Sequence, residues 1–230
     1  MSLPLVLISG SKGGVGKSLA SMALLDYWMA HSPDNPKSSF LVETDHSNPD
    51  VWKAYGELVP SIALDLAEPD SWIELANELE RHPNDHVVVN MASMSNQPVE
   101  RYGGTLLEAL SSLKRPLVCL WLINRQRDSV ELLANFRELM PGAQVHVLRN
   151  GMLGGEHKFE LYNQSNQRKQ VEAAGGKSVV FPELADRVAD YLYTQRASIA
   201  KALEVLPLGD RSALHRWRKQ CGVMFEEVGL

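Results

Sequence analysis

The sequence lacks the features that are typical of secreted, disulfide-bonded and membrane-spanning proteins. It has two cysteines in 230 residues, Cys119 and Cys221, and their placement fits neither a disulfide framework nor a metal-ligand motif. The N-terminus has no basic segment, and the longest unbroken apolar runs, such as Leu117–Ile123, are far shorter than the roughly 20 residues that span a bilayer. We therefore expect a cytoplasmic protein.

The sequence also lacks an excess of basic charge. Its formal net charge is -5, so contact with nucleic acid or an anionic membrane would need a local basic patch. Hydrophobic residues make up 44% of the chain and charged residues 22%. That balance is typical of one globular domain with a full-sized core.

Short apolar runs alternate with segments of helical periodicity along the chain. The runs that predict strands are residues 5–8, 40–42, 86–89, 117–123, 145–148 and 179–181. The predicted helices are residues 18–30, 72–79, 105–113, 130–140, 158–174 and 184–206. Unbroken apolar runs are typical of parallel strands covered on both faces. The alternation predicts an open α/β sheet whose ligand lies beyond the carboxyl ends of the strands.

The most specific motif lies between the first predicted strand and the first predicted helix. Residues 10–18 satisfy the P-loop pattern G-x-x-x-x-G-K-[ST] through Gly10, Gly16, Lys17 and Ser18. Glycines let backbone N–H groups turn toward one anion, and the following helix adds the positive end of its dipole. We expect Lys17 to reach the β- and γ-phosphates and Ser18 to hold Mg²⁺. A glycine-rich turn without a ligand is the alternative, but it requires neither of these side chains.

Residues 12–18 resemble the deviant Walker A motif, KGGxGK[ST], of the ParA/MinD family of ATPases. The resemblance implies a three-layer P-loop NTPase fold with a mostly parallel sheet, and ATP with Mg²⁺ as ligands. It also implies an ATP-dependent homodimer in which Lys12 reaches the phosphates held by the other subunit. A γ-phosphate between two subunits gains a charge-assisted contact from each. The alternative for Lys12 is a solvated loop lysine. The residues implied to contact the nucleotide are Gly13, Gly14, Val15, Gly16, Lys17, Ser18 and Leu19.

The second family motif reads D-x-D after the second strand, where this chain has Glu43-Thr44-Asp45. The resemblance gives Asp45 the place of the later aspartate, near the water that attacks the γ-phosphate, and Glu43 the place of the earlier one. A carboxylate at a strand end can orient a water or hold a Mg²⁺-bound one. The candidate catalytic residues are therefore Lys12, Lys17 and Asp45, and the candidate metal residues are Ser18 and, through water, Asp45. The alternative is an aspartate that opens a turn.

The strand at residues 86–89 is followed by Asn90, where the family has the Walker B aspartate. An asparagine accepts a hydrogen bond from a metal-bound water, but it has no charge to offset Mg²⁺ and cannot act as a base. We therefore expect weak hydrolysis and a nucleotide-gated switch. If the missing acid limits turnover, Asn90→Asp is expected to raise the ATPase rate or leave it unchanged.

The resemblance also implies adenine contacts at Asn150 and Pro182, which follow the last two predicted strands. Each position has an ordinary explanation, because Asn-Gly is a good turn and proline is common after a strand. The chain has no N-K-x-D guanine signature, which favours ATP over GTP.

The C-terminal segment, residues 207–230, follows a predicted ATPase domain of residues 1–206. Apolar side chains at three- and four-residue steps predict an amphipathic helix over residues 211–228. Three interpretations stay open: packing on the same domain, a membrane-surface helix as in the MinD branch, and a basic patch against DNA as in the ParA branch. Glu226 and Glu227 weaken the membrane version. A few basic residues would give only non-specific DNA contact, so an adaptor or DNA-binding partner would supply specificity.

These observations favour an ATP-dependent dimerising switch in plasmid partition, stability or conjugative mobilisation. The departures from the family pattern are similar to those of its plasmid stability and mobilisation (StbB-like) branch. Two alternatives remain: a MinD-like membrane-positioning ATPase, and a small-molecule kinase or metabolic ATPase on the same fold.

Overall fold

The computed structural model describes residues 3–10, 12–31, 38–93 and 96–230. Within these residues the strands β1 to β7 are Leu5–Gly10, Ser39–Glu43, Ser61–Ala63, His86–Asn90, Leu117–Ile123, Gln144–Asn150 and Ser178–Phe181. The helices α1 to α10 are Lys17–His31, Asp50–Tyr55, Pro69–Arg81, Gln97–Leu113, Arg127–Leu139, Glu160–Asn163, Asn166–Ala173, Asp186–Gln195, Ile199–Val205 and Leu208–Glu227.

The strands form one parallel sheet in the order β3-β2-β4-β1-β5-β6-β7. From β1 at the centre, the sheet extends through β4, β2 and β3 on one side and through β5, β6 and β7 on the other. Because every strand runs the same way, all carboxyl ends meet at one edge. The loops after β1, β2 and β4 are therefore neighbours in space.

Helices cover both faces of the sheet and divide the core into two parts. One apolar cluster joins the sheet to α1, α2, α8, α9 and α10, and the other joins it to α3, α4, α5, α6 and α7. Strands β1 and β5 are buried along their whole length, as their uninterrupted apolar sequences predicted. The prediction of a three-layer α/β fold with a parallel sheet flanked by helices is confirmed.

Several elements differ from the sequence-based expectations. The three-residue strand β3 and the six-residue helix α2 had not been predicted, since neither is long enough to show a periodic pattern. The helix expected over residues 184–206 is two helices, because Arg196 adopts a left-handed φ of 49° and the Ser198 hydroxyl caps α9. The helix expected over residues 158–174 is likewise broken, with Ser165 capping α7.

Helix α10 lies against α1, α8, α9 and β7. Its buried side chains are Leu214, Trp217, Cys221, Met224 and Phe225. An ion pair ties it to α1, with Arg218 Nε 2.5 Å from the buried Asp26 carboxylate. The division into an ATPase domain of residues 1–206 and a C-terminal segment of residues 207–230 stays a prediction. In the described parts of the chain, every helix is too short or too polar to cross a membrane.

Candidate functional site

The loop between β1 and α1 is a glycine turn at the carboxyl edge of the sheet. Gly14 and Gly16 have φ angles of +75° and +99°, which residues with a Cβ rarely adopt. A Cβ on Gly16 would also lie 2.6 Å from Asn150 Nδ2. Glycine is therefore required at position 16 by both conformation and space. Ser11, inside the motif, lies outside the described residues.

Lys17 is the first residue of α1, and its side chain is buried beneath this loop. Its Nζ donates hydrogen bonds to the backbone oxygen of Lys12, at 2.9 Å, and to Ser93 Oγ, at 2.6 Å. Burial lowers the pKa of Lys17 to about 8, although the negative charge of Asp45 opposes this shift. A buried ammonium group bonded to neutral oxygens is stabilised further when an anion binds beside it.

A cavity of about 620 Å³ opens over the loop, and we call it the phosphate-loop cavity. It is lined by Gly13, Gly14, Gly16, Lys17 and Ser18, by residues 44–48 and 90–93, and by Asp50, Asp65 and Tyr193. Its size is within the range of roughly 300–1,000 Å³ that is usual for small-molecule sites. The side chains of two other predicted contacts, Val15 and Leu19, lie in the apolar core. Only their backbone could contact a ligand in this cavity.

Asp45 lies at the edge of this cavity, directly after β2. Its Oδ1 accepts hydrogen bonds from the backbone N–H groups of Ser47, at 3.1 Å, and Asn48, at 2.9 Å. This is the turn-opening geometry that the sequence analysis gave as the alternative. The carboxylate also lines the cavity, so the turn holds it in place beside the loop. Its catalytic role stays a prediction.

Glu43 and Asn90 are directly opposite each other at the ends of β2 and β4. Both are almost fully buried, and Asn90 Nδ2 donates to Glu43 Oε1 over 2.8 Å. The Asn90 oxygen Oδ1 lies 3.0 Å from the hydroxyl of Ser21 in α1. Burial raises the pKa of Glu43, although its hydrogen bonds to Asp45 N, Asn90 and Trp52 N oppose the rise. Of the two residues, Asn90 lines the phosphate-loop cavity and Glu43 lies behind it.

Lys12 lies outside the lining of the cavity and is directed toward the start of α5. Its Nζ is 2.5 Å from Asp128 Oδ2 and donates a hydrogen bond to Gln126 Oε1 over 2.9 Å. The lysine is therefore partnered within its own chain, rather than being only a solvated loop residue.

The two predicted adenine contacts are not among the residues that line the phosphate-loop cavity. The Asn150 amide is committed to backbone groups, since Nδ2 donates to Val15 O over 2.9 Å and Oδ1 accepts from Met152 N over 3.0 Å. The backbone oxygen of Pro182 accepts a hydrogen bond from Trp217 Nε1. Asn150 therefore supports the glycine loop from below, and contact of either residue with a base stays a prediction.

The sequence analysis missed Ser93 and Ser21. Ser93 contacts Lys17, and Ser21 contacts Asn90. A signal for Ser93 was present, because it follows a predicted strand whose carboxyl end shares an edge with the P-loop. Ser21 gave no comparable signal, because its role depends on how α1 lies across the sheet.

The parallel sheet, with its glycine loop between β1 and α1, defines a P-loop NTPase fold of the MinD type. The structure is similar to that of the MinD cell division protein from Aquifex aeolicus, with a TM-score of 0.54 and 14% identity over 99% of each chain. An ATP complex of a McdA variant from Cyanothece is less similar, with a TM-score of 0.47 and 10% identity over 95% of this chain and 96% of that one.

No protein-family model matches the chain. The sequence is 50% identical over 228 residues to Protein MobD from Acidithiobacillus ferrooxidans, and the match covers 99% of each chain. The chain belongs to the MobD family.

Proposed function

We propose that the chain is an ATP-dependent dimerising switch with weak ATPase activity. The observation that carries this proposal is the placement of Lys17. Its ammonium group is buried beneath a glycine turn, at the N-terminus of a helix and at the wall of an open cavity. A backbone turn, a helix N-terminus and a lysine together favour a phosphate group at one point.

The residues around the cavity fit a nucleoside triphosphate with a divalent cation. Ser18 and Asp45 both line it, and a hydroxyl and a carboxylate are oxygen ligands suited to Mg²⁺. Ser18 would hold the cation directly and Asp45 would hold it through water. The cation would offset charge on the β- and γ-phosphates. Gly14 borders open space, since a Cβ built at this position would have no described atom within 4 Å.

Hydrolysis is proposed to be weak because the position that ends β4 has an asparagine where the family has an acid. Asn90 cannot accept a proton as a base, and Glu43 lies behind it rather than in the cavity lining. Asp45 reaches the cavity, but one of its oxygens already accepts two backbone hydrogen bonds. The site is therefore better suited to hold a nucleotide than to turn it over quickly.

The proposal that the chain dimerises rests on the position of Lys12. Its side chain is about half exposed and lies outside the cavity of its own chain. In a face-to-face dimer such a lysine could leave Asp128 and contact phosphates in the partner subunit. ATP would then stabilise the dimer because it binds both chains at once.

The process served by this switch is proposed to be plasmid or DNA partition, stability or conjugative mobilisation, in the cytoplasm. The relative's name, MobD, hints at mobilisation and agrees with the branch that the sequence resembles. The net charge of -5 favours a DNA-binding or adaptor partner over strong direct DNA binding. The burial of the apolar face of α10 supports its role in packing rather than at a membrane.

Light scattering after size exclusion tests the proposal. With ATP and Mg²⁺, the mass should rise from 25.6 kDa to twice that value, and ADP should leave it unchanged. Lys12→Ala should bind ATP and stay monomeric, whereas Lys169→Ala, which removes an exposed lysine on α7, should behave as wild type. An unchanged mass at saturating ATP, or an ATP-dependent dimer of Lys12→Ala, would show that the sandwich-dimer mechanism is wrong.

A further inference from the structure

Ser93 joins the loop after β4 to the glycine loop. Its Oγ lies 2.6 Å from Lys17 Nζ, and a Cβ built on Gly13 would lie 3.7 Å from the same oxygen. Lys17 is buried, whereas Ser93 is exposed and lines the phosphate-loop cavity. The Ser93 hydroxyl therefore lies between the buried ammonium group and the open cavity.

The direction of this hydrogen bond follows from the chemistry of the two groups. The pKa of Lys17 is about 8, so the ammonium form predominates at pH 7. An ammonium group only donates, so the Ser93 oxygen accepts and the hydroxyl hydrogen is available to a second partner.

The ammonium group also has a hydrogen to give. Among the described residues, Lys17 Nζ has two acceptors, the backbone oxygen of Lys12 and Ser93 Oγ. That leaves one of its three N–H groups for a ligand. A group with several anionic oxygens, such as a phosphoryl group, can therefore accept from both Lys17 and Ser93.

The position of Ser93 along the glycine loop indicates which phosphoryl group it would contact. Ser18 lies at the helix end of the loop, where the N-terminus of α1 favours an anion. Ser93 lies at the other end, beside Gly13 and the tip of the Lys17 side chain. A phosphate chain that begins at α1 and follows the loop would have its last group at this end.

We propose that Ser93 binds the terminal phosphoryl group of the nucleotide, so that the site distinguishes a triphosphate from a diphosphate. This inference rests on the nucleotide site proposed above. The hydroxyl accepts a hydrogen bond from Lys17 and donates one to an oxygen of the terminal group. A diphosphate lacks that group and leaves the hydroxyl hydrogen to water. Ser93 then contributes to the affinity for the triphosphate alone.

A role in holding Lys17 in place predicts a different result. Lys17 is expected to contact the β-phosphate, which ADP carries as well as ATP. If Ser93 acted only by placing Lys17, its loss would weaken the binding of both nucleotides. The affinity for ADP therefore separates the two roles.

Isothermal titration of the full chain at pH 7 tests the proposal. The ligands are ADP and the non-hydrolysable ATP analogue AMPPNP, each with Mg²⁺. Ser93→Ala removes the hydroxyl, and Ser93→Thr keeps it. Ser112→Ala removes an exposed hydroxyl on α4 and is the matched control. Because Ser93 is exposed, neither substitution there disturbs the core, and both variants should fold.

We expect Ser93→Ala to weaken the binding of AMPPNP at least about fivefold and that of ADP less than about twofold, because a hydrogen bond to a charged group is lost only with the triphosphate. Ser93→Thr should recover most of the affinity for AMPPNP, and Ser112→Ala should match wild type with both ligands. The same selective loss is expected in the Lys12→Ala background, where dimerisation should not add to the affinity.

Four results would overturn the inference alone. These are an unchanged affinity of Ser93→Ala for AMPPNP, an equal loss with both ligands, no recovery in Ser93→Thr, and a selective loss that disappears in the Lys12→Ala background. Failure of wild type to bind either nucleotide would instead overturn the proposed function, and this inference with it. The two kinds of failure are therefore distinguishable.

Discussion

Lys12 is held within its own chain by Asp128, at a distance of 2.5 Å between Nζ and Oδ2. The side chains are 45% and 42% exposed, so the pair is of the solvent-exposed kind that contributes only about 0–1 kcal/mol. In the proposed dimer, Lys12 would have to leave this contact before it reached the phosphates of the partner subunit. If the proposed dimer forms, the pair should therefore oppose dimerisation weakly.

Asp128→Asn removes the charge but keeps the size of the side chain. We expect half-maximal dimerisation at an ATP concentration lower by up to about fivefold, because an exposed ion pair contributes no more than about 1 kcal/mol. Light scattering across an ATP titration measures the effect. Glu131→Gln breaks the neighbouring Arg127–Glu131 pair on the same helix and is the matched control. If Asp128→Asn needs as much ATP as this control, or more, then the Lys12–Asp128 pair does not oppose dimerisation.

The lowered pKa of Lys17 predicts a pH-dependent affinity for nucleotide. With a pKa of about 8, the free protein loses this positive charge between pH 7 and pH 9, whereas bound phosphate retains it. The affinity should therefore fall by up to about tenfold over this interval. Lys17→Arg keeps its charge throughout and should lack this slope, whatever its absolute affinity. A wild-type affinity that is flat from pH 7 to 9 would contradict the assignment.

The same shift has a consequence for stability without nucleotide. The folded-state pKa of Lys17, about 8, lies below its ordinary value of 10.5, so the unfolded chain binds more protons between these two pH values. The contribution of Lys17 to the free energy of unfolding therefore rises as the pH increases from 8 to 10.5. Chemical denaturation of wild type and Lys17→Met over this range measures it. Parallel pH dependences for the two proteins would exclude the effect.

Asn150→Ala separates a role in supporting the loop from a role in contacting the base. Loss of the amide leaves the buried oxygen of Val15 without its hydrogen bond, at a cost of about 1–3 kcal/mol. Because the damage is to the loop, the affinity for tripolyphosphate, which has no base, should fall by the same factor as that for ATP. Isothermal titration with both ligands decides the question. A loss confined to ATP would instead support the adenine contact.

Trp217→Ala tests whether α10 is part of the folded core. The indole is buried and donates to Pro182 O, so its loss should cost about 3–5 kcal/mol in the free energy of unfolding. Val223→Ala, at an exposed position on the same helix, should stay within about 0.5 kcal/mol of wild type. Equal effects of the two substitutions would mean that the helix is only loosely attached. Binding of the full chain to anionic liposomes would favour the membrane alternative.

Much of the fold could be predicted because the central strands are buried on both faces and carry unbroken apolar sequences. The central runs at β1 and β5 were recognisable without any long-range information. Helix breaks were harder to predict. Helix α8 ends where Arg196 adopts a left-handed conformation, which arginine, unlike glycine, does not signal in a sequence. The helical periodicity continues past this residue, so one helix was predicted where the structure has α8 and α9.

The candidate site, like the fold, could be predicted only in part. Residues 12–18 are contiguous, so the phosphate loop was visible as a motif. Its supporting contacts join residues far apart in the chain: Val15 with Asn150, Lys12 with Asp128, and Glu43 with Asn90. The last pair depends on the register between β2 and β4, which a single sequence does not specify when the two strands are not consecutive.

Helix α1 carries the phosphate loop at one end and has little free surface, since ten of its fifteen residues are buried. Under the proposed function, a partner that senses the bound nucleotide would have two routes to this helix. One is the rim of the phosphate-loop cavity, and the other is α10, which is joined to α1 through Asp26 and Arg218. Because no residue of α10 is among those that line the phosphate-loop cavity, a partner docked on α10 would contact the layer that holds α1 without covering that cavity.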